Sequence, residues 1–327
     1  MEPAAGRAVP RHGHLPLPAA GVTTAEQLLV AQARRLGALD ALLPAPAAPP
    51  HGEVVTADGV DGPVVGVLVY TEHPPGSPVR MWSATSVCEL VPVLGAAAGD
   101  AMCALLTRWR DRLPGLGLPA TDSACVVSWP SRDVQVGGAL LDHGFVPLSV
   151  LAVRVPAAAA RPGSALVRRA TLEDLDECVA LALAEQSYSA LVGGTVLRPD
   201  AAELKRTMLA GRLRRGDPIW VAERDGVVVG LAECGYSDAV PGSWTATRLL
   251  PGQWGYVNCT SVLPDARGHR VGRALMAHVH AAFAAAGVVG SYLYYNPPNP
   301  LSSVFWPRQG YRPLWTVWEA RPASAFR

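Results

Sequence analysis

The chain repeats the order of its structural elements halfway along, and this repeat limits most strongly what it can fold into. In both halves a strand hairpin precedes a helix, a strand, a short helix ending at a glycine and an aromatic residue, and a final strand. Gly144-Phe145 and Gly310-Tyr311 hold matching places 166 residues apart in a chain of 327. We therefore expect an α/β protein built from two copies of one unit.

Two stretches without periodicity predict where the two units begin and end. Residues 1–22 are rich in Pro, Ala and Arg and have no periodicity, which is typical of a loose tail. Residues 157–164 carry a single charge and no pattern, as a linker would. The sequence thus predicts a first unit at 23–156 and a second unit at 165–327.

Composition excludes several classes of protein. Half of the residues are hydrophobic and 17% are charged, so a sizeable core is expected. A net charge of +1 argues against nucleic-acid binding, which needs a basic excess. The six cysteines form no CxxC pair, so we expect reduced thiols, no metal site and a cytoplasmic protein. The sequence shows no signal peptide and no apolar run of membrane-spanning length, so no membrane partner is expected.

One stretch, residues 260–276 (TSVLPDARGHRVGRALM), carries the pattern of a phosphate site. A strand ends near Val262, Pro264 stops it, and a helix with an apolar face follows. Unpaired N–H groups at a helix start attract anions, and arginines add charge-assisted hydrogen bonds. Three arginines lie at this helix start: Arg267, Arg270 and Arg273. The stretch therefore predicts binding of a pyrophosphate, the alternative being an ordinary turn with solvated arginines.

This stretch resembles the coenzyme A-binding motif of the GNAT superfamily of N-acetyltransferases. Val262, Pro264, Arg267 and Gly272 match the family pattern, whereas Arg270 stands where the family usually has glycine. Downstream, residues 299–311 resemble the family's N-x-x-[AS]-x-x-F-Y-x-x-x-G-F segment. The resemblance covers about residues 165–321 and is weaker over 50–155, where the corresponding turn, residues 94–105, has no arginine.

The resemblance implies a mixed α/β fold of two tandem GNAT-like domains. Each would be a mostly antiparallel sheet with a central parallel splay flanked by helices, and the first would have lost its phosphate loop. It implies an acyl-CoA-dependent N-acyltransferase, with acetyl-CoA as co-substrate between strands 255–263 and 291–296. A small-molecule amine would be acylated directly, through a tetrahedral intermediate. The residues expected to bind the coenzyme are Thr260, Ser261, Val262, Arg267, Gly268, His269, Arg270, Val271, Gly272, Arg273, Asn299 and Ser302.

The sequence departs from the family at the catalytic groups, because the family's thiolate-protonating tyrosine aligns with Trp306, whose indole is no acid. Tyr294 stands where a glutamate is often found. This leaves Tyr294 and Tyr295 as candidate proton donors and Glu233 as candidate base. Strand alternation puts the two tyrosines on opposite faces.

Two alternatives stay open at this stage. One is a GNAT pair that binds an acyl-CoA or a protein partner without catalysis. The other is a different reaction on the same scaffold, such as amide formation resembling that of mycothiol synthases, or decarboxylation of an acyl-CoA. The sequence names neither the acceptor nor the oligomeric state, and a monomer with pseudo-dimeric halves fits it.

Overall fold

The computed structural model of the chain describes residues 19–60, 62–96, 98–155 and 166–326. The predicted linker 157–164 and most of the predicted tail lie outside these residues. None of the helices in the described ranges combines the length and apolar character needed to cross a lipid bilayer.

Helices and strands are interspersed along both halves of the described chain. The helices are α1 (Ala19–Leu39), α2 (Gly99–Arg112), α3 (Val134–Asp142), α4 (Leu175–Leu191), α5 (Ala201–Arg214), α6 (Val271–Ala285) and α7 (Pro300–Arg308). The strands are β1 (Glu53–Gly59), β2 (Gly62–Glu72), β3 (Ser86–Val93), β4 (Ser123–Pro130), β5 (Val146–Arg154), β6 (Val167–Arg169), β7 (Ile219–Arg224), β8 (Val227–Ala239), β9 (Gly252–Val262), β10 (Gly290–Tyr295) and β11 (Arg312–Ala320).

Local sequence signals explain the elements that surround the later site. The β7–β8 hairpin turns at Asp225 and Gly226, both with positive φ, as a two-residue turn between twisted strands requires. Helix α6 buries an apolar stripe at four-residue spacing, including Leu275 and Val279. Helix α7 starts at Asn299, whose side chain accepts hydrogen bonds from the N–H groups of the first turn.

The eleven strands in the described part of the chain belong to one sheet in the order β1-β2-β3-β4-β11-β5-β10-β9-β8-β7-β6. Two strand pairs are parallel, β3 with β4 and β9 with β10, and the other neighbours are antiparallel. The expected mixed α/β fold with central parallel pairs is therefore confirmed. The domain boundaries stay a prediction.

The sequence did not predict that the two halves exchange their last strands. Strand β11, from the end of the chain, pairs with β4 of the first half, and β5 pairs with β10 of the second half. The exchange extends into the core. Phe326 packs against Trp109 and Phe145 of the first half, at ring-centroid distances of 5.0 and 4.9 Å. Val150 and Ala152 of β5 join the core beneath α6. Each half is thus completed by residues of the other.

Both parallel pairs open toward one end of the strands. Pairing of β3 with β4 stops at Leu90 and Val127, and pairing of β9 with β10 stops at Val257 and Leu293, although the strands run on. Beyond these points the backbone N–H and C=O groups of the two strands no longer form hydrogen bonds with each other. The two openings are therefore the places where an extended group can enter the sheet.

Helix α1 lies across the first opening. The side chain of Gln32 accepts a hydrogen bond from the N–H of Leu94 at 2.7 Å, and its amide nitrogen lies 3.5 Å from the carbonyl oxygen of Pro92. On the other side of the opening, Arg35 donates to Asp133 at 2.6 Å and lies over the ring of Trp129. Helix α1 therefore bridges the ends of β3 and β4.

Candidate active site

The second opening is a groove of about 830 Å³. Its floor is the diverging part of β9 and β10. The loop into α6 and the start of α7 form one side, and α4 forms the other. It therefore passes through the sheet, from the face covered by α6 and α7 to the face covered by α4. Of the twelve residues predicted to bind a coenzyme, all but His269 line it.

The start of α6 suits an anion. Its N-cap, Arg270, makes no side-chain cap hydrogen bond, and the first turn contains no acidic residue. The first N–H groups of the helix and its dipole therefore favour negative charge at this point. Arg267, Arg270 and Arg273 all line the groove here. His269 instead lines a smaller cavity of about 390 Å³ on the other side of the loop.

The two glycines of the loop have different roles. Gly268 has a φ of +81°, and a Cβ there would meet nothing within 4 Å, so it serves the left-handed turn. A Cβ on Gly272 would lie 3.3 Å from the ring of Phe305. Gly272 therefore allows α6 to pack closely on α7.

Arg267 reaches from the loop toward α4. Its Nε donates to the carbonyl oxygen of Val262 at 3.1 Å, and its guanidinium lies 5.9 Å from the centre of the Tyr188 ring. The Thr260 hydroxyl lies 3.8 Å from the sulfur of Met276, on the α6 side of β9. The backbone edge of Thr260–Val262 thus runs along the groove between these contacts.

Asn299 and Ser302 shape the entrance of α7. The Asn299 side chain accepts from the N–H groups of Leu301 and Ser302 at 3.0 and 3.2 Å. The Ser302 hydroxyl donates to the carbonyl oxygen of Asn296 at 3.3 Å. Both side chains are engaged within the protein, so their predicted contact with a coenzyme stays a prediction.

Tyr294 and Tyr295 line the groove from opposite faces of β10. Tyr294 packs near Trp244, with ring centroids 6.3 Å apart, and Tyr295 packs in the core beneath α6. Burial raises the pKa of both phenols above the ordinary value. Both therefore carry their proton at neutral pH. Trp306 is buried between Phe305 and Tyr311 and acts in packing.

Glu233 is completely buried and is not among the groove-lining residues described. Its carboxylate accepts a hydrogen bond from Arg212 and lies 3.9 Å from the ammonium nitrogen of Lys205. Burial alone raises the pKa of Glu233, but the charges of Lys205 and Arg212 outweigh it and hold the pKa below its ordinary value. A lowered pKa makes it a weak base, and its predicted catalytic role stays a prediction.

The carboxyl group that does line the groove is Glu185, which the sequence reasoning missed. It lies on α4 and accepts a hydrogen bond from the hydroxyl of Ser189 at 2.6 Å. Burial raises the pKa of Glu185 above its ordinary value. Glu185, Tyr188 and Ser189 all face the groove at the i, i+3, i+4 spacing of one helix face. Polar side chains that recur at this spacing on one face of α4 are the signal that could have found them.

Cys259 also lines the groove beside the diverging strands. Burial raises the pKa of its thiol far above the ordinary value, so it stays protonated and is a poor nucleophile.

Comparison with known families assigns this part of the chain. Residues 215–313 match the family model described as an acetyltransferase (GNAT) domain. They include β7 to β10, the loop and α6, which build most of the groove. The chain therefore contains a GNAT acetyltransferase domain.

Solved structures extend the likeness in fold to nearly the whole chain. The GCN5-related N-acetyltransferase from Sphaerobacter thermophilus is 14% identical and has a TM-score of 0.56, with 94% of this chain and 95% of that chain covered. At this identity the match shows the fold alone. An acetyltransferase of the GNAT family from Colwellia psychrerythraea is 14% identical with a TM-score of 0.44, and the match covers 60% of this chain and 63% of that one. The PaiA N-acetyltransferase from Thermoplasma acidophilum, solved in complex with coenzyme A, is also 14% identical, with a TM-score of 0.37 over 47% of this chain and 96% of that one.

Proposed function

We propose that this protein transfers an acetyl group from acetyl-CoA to the amine of a small molecule. The observation that carries the proposal is the groove at the second opening. It joins an anion-attracting helix start to a pair of diverging parallel strands and continues to the opposite face of the sheet. The helix start and the diverging strands suit a long, charged thioester. The continuation to the opposite face gives a separate acceptor its own way in.

The coenzyme would occupy the groove in an extended form. Its pantetheine arm would lie beside the backbone of Thr260–Val262, as an added strand would. Its pyrophosphate would lie at the start of α6, near Arg267, Arg270 and Arg273. The residues fit this group, because no described carboxylate in the first turn of α6 opposes an anion there.

The thioester would then lie between β9 and β10. The N–H of Val262 would stabilise the negative charge that develops on the carbonyl oxygen. Tyr294 and Tyr295 are the phenols available to protonate the departing thiolate. We propose no covalent enzyme intermediate, because the thiol of Cys259 stays protonated.

The first half, at 23–156, would bind no coenzyme and would serve as a structural partner of the second, at 165–327. Support comes from Gln32 of α1, which engages the backbone at the end of β3. That backbone corresponds in the sheet order to the edge of β9 in the second half. A shared origin by duplication would explain the correspondence.

The test is coenzyme binding, measured by thermal shift and calorimetry with CoA, acetyl-CoA and longer acyl-CoA esters. At 100 times its dissociation constant a ligand adds about 2.7 kcal/mol to the free energy of unfolding. Arg267→Ala and Arg270→Ala should each weaken binding about tenfold or more, because each removes a charge-assisted contact. Arg108→Ala, an exposed arginine on α2, is the matched control and should change nothing. Absence of stabilisation by every ester would overturn the proposal.

A coenzyme-binding protein without transfer is the second candidate. It is favoured by Trp306, which is packed against Phe305 and Tyr311 where the resemblance implies a proton-donating tyrosine. Thiol release from acetyl-CoA in the presence of amines distinguishes the two, since binding alone releases none.

A further inference from the structure

We infer that Glu185 is the catalytic carboxylate that accepts the proton of the attacking amine. The inference rests on the proposed function and adds the residue and the side of the groove from which the acceptor enters. That side is the face of the sheet covered by α4, opposite the phosphate-binding loop.

The position of Glu185 is the first reason. It lines the same groove as Cys259 and Thr260, the residues of β9 beside the expected thioester. The hydroxyl of Ser189 donates to one oxygen of its carboxylate at 2.6 Å, which fixes the side chain. An acceptor that enters over α4 would meet this carboxylate on its way to β9.

The charges around Glu185 are the second reason. Lys205 of α5, Glu233 of β8 and the thiol of Cys259 of β9 all interact with Glu185 through charge. Lys205 lies 3.9 Å from Glu233 and 4.9 Å from the centre of the Trp82 ring, and Arg212 also pairs with Glu233. Glu233 thus has two cationic partners inside the protein.

This arrangement divides the work between two glutamates. Glu233 is held ionised in an interior ion-pair cluster, and Glu185 is left as the carboxyl that faces the groove. Trp82 belongs to the first half, so that half takes part in positioning Lys205 behind the site. Burial raises the pKa of Glu185, while the Ser189 hydrogen bond and the charge of Lys205 oppose the rise. A carboxylate with a raised pKa is the stronger base.

The reaction balances with these groups. The nitrogen lone pair of a primary amine forms a bond to the thioester carbonyl carbon, and the amine proton passes to the Glu185 carboxylate. The carbon–sulfur bond then breaks with its electron pair on sulfur, and a tyrosine phenol protonates the thiolate. Glu185 releases its proton to solvent and the phenolate recovers one, so the products are the amide and free CoA.

The experiment compares the wild type with Glu185→Gln and with Glu177→Gln, an exposed glutamate on the same helix. CoA binding is measured first by calorimetry, and we expect equal dissociation constants in all three proteins. Thiol release from acetyl-CoA is then followed with n-propylamine, phenethylamine, 1,3-diaminopropane and spermidine. Glu185→Gln should lower kcat/KM at least about 100-fold. It should also abolish the rise of rate with pH that titration of this carboxyl produces.

A readout independent of turnover completes the test. In pH-difference infrared spectra, the carboxyl group that titrates above the ordinary range should be present in the wild type and in Glu177→Gln, and absent in Glu185→Gln. Retention of that signal, or of kcat/KM within about threefold, would overturn the inference. A wild type that binds CoA but acetylates none of the amines would overturn it as well. A wild type that binds no coenzyme A ester would instead overturn the proposed function.

Discussion

The two openings of the sheet differ in what meets the ends of their strands. In the first, α1 of the same chain supplies Gln32 to the backbone of Pro92 and Leu94. In the second, the corresponding strand edge of Thr260–Val262 lines an open groove. A pair of diverging parallel strands is therefore not enough to make a binding site. What matters is whether the chain satisfies the freed backbone groups itself.

The helices that follow the two openings differ in the same sense. Helix α2 carries Asp100 in its first turn, whereas α6 has no acidic residue there and has Arg270 as its N-cap. A carboxylate at a helix start neutralises the partial positive charge that would attract an anion. The first opening thus combines an occupied strand edge with an acidic helix start, whereas the second combines a groove-lining strand edge with a helix start that has no acidic residue.

The largest expected effect concerns the completion of the first half by the end of the chain. Phe326→Ala removes a ring, 5% exposed, that packs on Trp109 and Phe145. We expect a loss of about 3–5 kcal/mol in the free energy of unfolding, measured by urea denaturation. Tyr70→Ala, at a half-exposed aromatic, is the control and should lose less than about 1 kcal/mol. Equal losses would mean that the C-terminal segment is not part of this core.

Gln32→Ala tests whether α1 takes the place of a ligand. It leaves the N–H of Leu94, a residue only 1% exposed, without its side-chain acceptor. The expected loss is about 1–3 kcal/mol, with one CoA still bound per chain by calorimetry. Gln27→Ala, exposed on the same helix, is the matched control. A stoichiometry of two in Gln32→Ala would show that the first opening can bind the coenzyme once Gln32 is removed.

Asp122 and Arg198 join the two halves by a bidentate ion pair at 2.7 and 2.8 Å. Hydrogen bonds from Arg198 hold the pKa of Asp122 well below its ordinary value. A lowered pKa in the folded state stabilises above the unfolded pKa, and this contribution is lost as pH falls through the folded value. Asp122→Asn should therefore lose about 1 kcal/mol at neutral pH, a value limited by solvent screening.

The difference between Asp122→Asn and the wild type should shrink below about pH 4, where the carboxyl of the unfolded chain is already protonated. Urea denaturation from pH 7 to pH 3 measures it. Asp111→Asn, at an exposed pair with Arg110, is the control. A difference that stays constant down to pH 3 would contradict the ion-pair origin.

The smallest expected effect separates backbone strain from charge at the N-cap of α6. Arg270 has a φ of 63°, and the left-handed conformation costs a non-glycine residue about 1–2 kcal/mol. Glycine removes this cost. It also makes the unfolded chain more flexible, which takes back about 0.5–1 kcal/mol of the gain in the free energy of unfolding. Arg270→Gly should thus stabilise the protein by about 0.5–1 kcal/mol while weakening CoA binding. Arg273→Gly, within the helix, should lower both the free energy of unfolding and the affinity for CoA. A loss of stability in Arg270→Gly would remove the strain argument.

The sequence predicted the parts of the fold that local patterns determine. The strand expected to end near Val262 and the helix expected after Pro264 are both found, as β9 and α6. Turn chemistry and apolar spacing act over a few residues, so one sequence is enough to reveal them.

The rest depends on contacts between distant residues. Nothing near Gln32 indicates that its amide meets the end of β3, and nothing near Phe326 indicates that it packs on Trp109. The choice between Glu233 and Glu185 depends on which carboxyl the fold surrounds with cations and which it turns to the groove. The sequence around each glutamate does not show which of these two environments it will have.

Because β5 pairs with β10 and β11 pairs with β4, we expect that neither half of the chain folds by itself. A cut in the segment 156–165 would give two fragments, each carrying a strand that only the other can use. Neither fragment would present the complete sheet on which the groove is built, since β5 flanks β10. The second fragment would then bind the coenzyme only when the first fragment is present, as the two parts of a split reporter act only together. We therefore expect each half of the chain to need the other in order to fold.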